Sequence, residues 1–114
     1  MPLATQKNIY SIWGTSYTNV WAVGSNGLIL NFNGSEWKYV KHTYKTDFKS
    51  VRGNSAFEVY IGGTKGILLS IRNNHIKKID LPDSDNIKNI LTLPTERNIY
   101  VVGQKKLLKK IPVK

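Results

Sequence analysis

Hydrophobic and polar residues alternate along this chain in short bursts separated by turn formers. From Asn8 to Gly14, Ile9, Ser11 and Trp13 fall on one side of an extended strand and Tyr10 and Ile12 on the other. Apolar groups on both sides predict a strand held between neighbouring layers. Thr15-Ser16-Tyr17-Thr18-Asn19 is a polar connection. Asn19 to Gly24 reads as a second, almost wholly apolar strand, and Ser25-Asn26-Gly27 as a hairpin turn in which Gly27 takes a positive φ. Leu28 to Asn31 opens a third strand, Asn33-Gly34 turns again, and Glu36 to Lys41 forms a fourth.

The same order then returns. Ile9-Tyr10-Ser11-Ile12-Trp13-Gly14 is echoed by Phe48-Lys49-Ser50-Val51-Arg52-Gly53 and by Ile87-Lys88-Asn89-Ile90-Leu91-Thr92. Val20-Trp21-Ala22-Val23-Gly24 comes back as Val59-Tyr60-Ile61-Gly62-Gly63 and, with one residue inserted, as Ile99-Tyr100-Val101-Val102-Gly103. Gly27-Leu28-Ile29-Leu30 matches Gly66-Ile67-Leu68-Leu69 and Lys106-Leu107-Leu108-Lys109. In the second repeat the fourth strand is expected at Ile76 to Ile79.

A period of about 40 built only from strands points to β-propeller blades. The expected fold is all-β, a propeller of four-stranded antiparallel blades with about three blades in the chain. Blade 1 spans about 8–45, blade 2 about 46–84 and blade 3 about 85–114, the last without its outer strand. Trp21, Tyr60 and Tyr100 share one repeat position, and Gly24, Gly63 and Gly103 another, which marks them as structural. Closed propellers take about four or more blades. The chain is therefore expected to form a homo-oligomer, most simply a dimer of six blades, or to be a fragment of a longer propeller.

Composition changes this picture little. Absence of cysteine removes disulfides and thiolate chemistry. No apolar run is long enough to span a membrane, and Met1 to Lys7 has no signal-peptide core. An extracellular or periplasmic location stays open if a leader was removed, so localisation is unassigned. Charge matters more: 17 Lys and Arg face 7 Asp and Glu, a net +10. The excess gathers late, at Lys77, Lys78, Lys105, Lys106, Lys109, Lys110 and Lys114. Anion binding, to nucleic acid or acidic polysaccharide, is thus an alternative function. The plainer reading is solvated lysines blunting strand edges, and nucleic acid is not the favoured partner.

Catalytic patterns are missing. His42 and His75 lack companions at metal-ligand spacing and read as exposed turn or edge residues. Asp80, Asp83 and Asp85 lack the glycine and final Glu of a calcium loop and read as a capped interblade linker. Glu36, Glu58 and Glu96 offer no acid–base pair. The chain is expected not to be an enzyme and to need no metal or cofactor. One inner-strand position does vary chemically, with Trp13, Arg52 and Leu91 in the three repeats. A position free of shared packing is free to touch a ligand. The leading expectation is a non-catalytic interaction module binding a protein or glycan on its loop face.

Trp13-Gly14, Asn19-Val20-Trp21-Ala22-Val23-Gly24, Gly27-Leu28-Ile29-Leu30 and Asn33-Gly34-Ser35-Glu36-Trp37 together carry a resemblance. They resemble a bacterial propeller repeat of the sialidase-like and photosystem-assembly-factor-like kind, W-G, then D-V-W-A-V-G, then a closing G-x-x-W. In repeat two Arg52 and Ile76 replace its tryptophans, and repeat three keeps less. The resemblance implies the fold and leaves the ligand open; the Asp-box of true sialidases is absent. A looser likeness is to small sugar-binding propellers whose short chains assemble into a ring. It implies Trp13, Arg52 and Trp37 as monosaccharide-holding residues.

Overall fold

The computed structural model describes residues 7–55, 58–81, 84–93, 98–105 and 109–112. Three antiparallel sheets follow one another along the chain. The first holds β1 (Ile9–Ser16), β2 (Asn19–Gly24), β3 (Ile29–Phe32) and β4 (Trp37–Tyr39), in that order. The second holds β5 (Phe48–Ser55), β6 (Glu58–Gly63), β7 (Leu68–Arg72) and β8 (His75–Lys78). The third holds β9 (Ile87–Thr92), β10 (Asn98–Gly103) and β11 (Lys109–Pro112). Each sheet is a blade, and β1, β5 and β9 are the inner strands, lying beside one another. Hairpins cluster at one end of the blades. The β2–β3 and β6–β7 turns and the interblade linkers cluster at the other, here called the linker end.

Local sequence dictates the turns. At the linker end Asn26 and Gly27 take φ of 51° and 77°, and Lys65 and Gly66 take 59° and 73°. A glycine follows the first left-handed residue each time because the second has no room for strain. Asn73 and Asn74, at 49° and 69°, make the two-residue hairpin turn between β7 and β8. Gly24 and Gly63 are fixed by space: a Cβ would fall 1.8 Å from the Asn8 carbonyl oxygen and 2.0 Å from that of Asp47. Those carbonyls accept hydrogen bonds from Ser25 N (2.9 Å) and Thr64 N (3.0 Å), tying each inner strand to its own blade.

The core lies between blades. The front of blade 1 (Trp21, Val23, Ile29) meets the back of blade 2 (Phe48, Val51, Val59, Ile61, Leu69). The front of blade 2 (Tyr60, Leu68) meets Ile87, Ile90, Ile99 and Val101 of blade 3. Burying a large aliphatic side chain in this way is worth about 1.5–3 kcal/mol.

Simple alternation fails on the inner strands. A register shift between Phe48 and Ser50, and between Ile9 and Ser11, inserts Lys49 and Tyr10 as bulge residues. Phe48 and Val51, three apart, therefore reach the same core. Ile9 and Ile12 share a face and do not lie on opposite ones. The outer strands are β4 over Trp37–Tyr39 and β8 over His75–Lys78, the first shorter than expected and the second displaced by one residue. Lys106, Leu107 and Leu108, with Asp83, Glu96 and Lys114, lie outside the described residues. No described helix is long and apolar enough to cross a membrane.

Candidate functional site

The inner strands are stitched together by one repeated side-chain position. Ser11 Oγ accepts from Val51 N (3.3 Å), and Ser50 Oγ donates to Asn89 Oδ1 (3.3 Å). Thr92 Oγ1 adds a bond to the Gly53 carbonyl (3.0 Å). The bulge position carries Tyr10, Lys49 and Lys88, and the Lys49 ammonium sits 3.8 Å from the Tyr10 ring centroid. That is cation–π distance.

Trp13 and Arg52 occupy neighbouring inner strands. Trp13 is half-buried in the blade 1–blade 2 core, its ring against Gly53. Arg52, its equivalent one blade on, is exposed, and so is Leu91. Trp37 is elsewhere: it lies on the outer strand β4, tilted against Phe32 with centroids 5.1 Å apart, and packs on Ala22, Leu28 and Leu30. The structure thus brings Trp13 and the Arg52 strand together and leaves Trp37 three strands away. Of the repeat positions, Trp21 and Tyr60 are buried between blades, Tyr100 is partly exposed on the front of blade 3, and Gly24, Gly63 and Gly103 are buried.

The two blade junctions differ in their polar chemistry. Between blades 2 and 3 the Tyr60 hydroxyl donates to Glu58 Oε2, and Arg72 reaches both, at 3.2 Å from the hydroxyl and 3.3 Å from the carboxylate. Burial, reinforced by the Glu58 carboxylate, pushes the Tyr60 phenol up to about 12. The hydrogen bond to Tyr60 holds Arg72 above its ordinary value. Between blades 1 and 2 the equivalent Trp21 has a buried indole N–H with no hydrogen-bond partner among the described residues. Trp21 lines a cavity of about 240 Å³ there with Asn19, Asn31, Asn73 and Asn74.

His42 and Asp85, two of the candidate ligands, are engaged within the fold. His42 is half-buried, not an exposed turn residue: Nε2 donates to the Gly27 carbonyl (2.7 Å), Nδ1 accepts from Tyr44 N (3.0 Å), and the ring packs near Phe48. His75 is exposed. Asp85 accepts from Lys105 N at 3.0 Å. Asp47 and Asn86, one repeat apart, do the same for the linker-end turns, accepting from Asn26 N (2.8 Å) and Lys65 N (2.7 Å). Their shared place just before Phe48 and Ile87 was the signal available in the sequence. Among the described residues no three His, Cys, Asp or Glu gather as metal ligands.

Strand order and interblade cores make this chain an all-β propeller of four-stranded antiparallel blades, with the third blade incomplete over the described residues. It is similar to a solved structure described as YCF48 bound to a D1 peptide, with a TM-score of 0.78 at 18% sequence identity. The match covers 99% of this chain and 40% of that one, so the chain spans well under half of its neighbour's length. No protein-family model matches, and no curated protein matches.

Proposed function

We propose that this chain is a non-catalytic protein-binding module that works as part of a propeller ring completed by a second copy. The observation that carries the binding role is the contrast within the inner strands. Positions that knit blades together repeat (Ser11, Ser50, Asn89), while one neighbouring position differs from blade to blade: Trp13 is half-buried, and Arg52 and Leu91 are exposed. A scaffold that keeps its joints and varies its exposed residues presents a specific surface. The solved neighbour carries a bound peptide, which supports a protein segment as the ligand class.

Exposed apolar groups on the outward faces of blades 1 and 3 support ring completion. Phe48 and Val51 are 0% and 1% exposed under blade 1, whereas their equivalents Ile9 and Ile12 are 52% and 64% exposed on the back of blade 1. At the far end Leu91 and Val102, on the front of blade 3, are 50% and 36% exposed. A blade 3 front set on a blade 1 back repeats the junctions already present. A glycan ligand draws no such support, because Trp37 does not join Trp13 and Arg52.

The test is a peptide array probed with the labelled full chain, with hits confirmed by fluorescence anisotropy. Sequence-dependent peptide binding that weakens in Arg52→Ala is the expected result. Turnover of a glycosidic or ester substrate by the intact assembly, or no peptide bound at all, would overturn the reading.

A further inference from the structure

Charge is distributed unequally between the two ends of the blades. At the hairpin end cations meet acids: Lys38 pairs with Glu36 (3.7 Å) and Arg72 with Glu58 (3.3 Å). At the linker end Lys41, Lys45, Lys49, Lys65, Lys78 and Lys88 make no ion pair among the described residues. Two aspartates of that end, Asp47 and Asp85, are turned towards backbone N–H groups. Asp80, exposed on the linker after blade 2, is the exception, one carboxylate against these six lysines among the described residues.

Two grooves open on the same end at equivalent places. One, of about 370 Å³ in blade 1, is lined in part by Tyr39, Val40, Lys41, Tyr44 and Lys45. The other, of about 400 Å³ in blade 2, is lined in part by Lys65, Lys78, Ile79, Asp80 and Leu81. Tyr10, Lys49 and Lys88 lie on the inner strands of the three blades and line neither groove. Each groove therefore combines ammonium groups with an aromatic or aliphatic wall.

We infer that the linker end is a docking face for an acidic segment of a partner protein that also carries aromatic or aliphatic residues. This rests on the protein-binding reading and adds a second contact surface, at the end of the blades away from Arg52, and the chemistry that surface selects. Carboxylates meet Lys49 and Lys88, and side chains enter the grooves beside Tyr39 and Tyr44 or Ile79 and Leu81. A protein segment fits better than nucleic acid. Both described arginines lie towards the hairpin end, so among the described residues the lysine face offers no planar guanidinium fork to pair with phosphate oxygens. Uncompensated surface charge of this kind raises association rate and selects partners by sign.

The test is fluorescence anisotropy with the full chain and a labelled peptide alternating Glu with Tyr. Its Gln–Tyr counterpart and a labelled single-stranded oligothymidylate serve as competitors. Lys49→Glu/Lys88→Glu is compared with Lys38→Glu/Lys77→Glu, which makes the same charge change away from the linker end. The acidic peptide is expected to bind with an affinity that falls as salt rises. The linker-end variant should lose roughly tenfold and the control variant less than about twofold. Equal losses in the two variants overturn the placement. Equal binding of the Gln–Tyr peptide overturns the acidic preference and leaves the protein-binding reading standing. Tighter, linker-end-dependent binding of the oligonucleotide identifies a nucleic-acid surface. Binding of none of the three overturns the linker-end inference, while the protein-binding reading stands or falls on the peptide array.

Discussion

The indole of Trp13 lies so close to Gly53 of the next blade that a Cβ there would fall 2.6 Å from the ring. The same Cβ would also approach the Glu58 carbonyl oxygen at 2.7 Å, so backbone as well as ring blocks it. Gly53→Ala is expected to destabilise the chain by about 1–3 kcal/mol, as overpacking does. It should also shift tryptophan emission as Trp13 is pushed towards solvent. Urea unfolding and the emission maximum check it; unchanged values would mean that Trp13 is not a blade-junction residue.

Tyr60 gives the chain a stability term at high pH. Its phenol titrates near 12 in the folded state against an ordinary value of about 10. The folded form therefore holds its proton more tightly than the unfolded form. The stabilisation is complete below pH 10 and is lost as pH rises towards 12. Tyr60→Phe lacks this term, so the stability gap between it and the parent chain should narrow over that interval. In a phenolate absorbance titration, the late-titrating component should vanish from the variant. A gap that stays constant from pH 9 upward would contradict the assignment.

Asp47 and Asn86 act alike one repeat apart, each accepting from a left-handed residue of the preceding blade's turn. Asp47→Ala or Asn86→Ala is expected to cost about 1 kcal/mol, the net worth of one such bond. Asp80→Ala, at an exposed site on the linker after blade 2, should stay within about 0.5 kcal/mol. Denaturant midpoints of the three variants separate the cases, and equal midpoints would remove the capping role.

The fold was legible because the repeat is written in residues that the fold cannot exchange. Gly24 and Gly63 recur because a carbonyl oxygen occupies the space of a Cβ, and Trp21 and Tyr60 because each fills the gap to the next blade. The inner-strand faces were not legible by alternation. Tyr10 and Lys49 are bulge residues, and a bulge changes the parity of a strand without marking it by residue type. The role of His42 was hidden for a related reason. Its partners, the Gly27 carbonyl and Tyr44 N, are backbone groups brought near by the linker's path. The looser resemblance grouped Trp37 with Trp13 and Arg52 because tryptophan marks both packing and binding. Only strand order shows that it sits at the blade's outer edge.

Whether the back of blade 1 is an open blade junction is decided most directly by native mass in solution, from light scattering after size exclusion. The chain is 12.9 kDa. The expected result is a discrete species of twice that mass. Ile12→Lys, which puts a charge on the exposed back face of blade 1, should yield folded monomer. A parent chain that is itself a monodisperse monomer would contradict ring completion by a second copy.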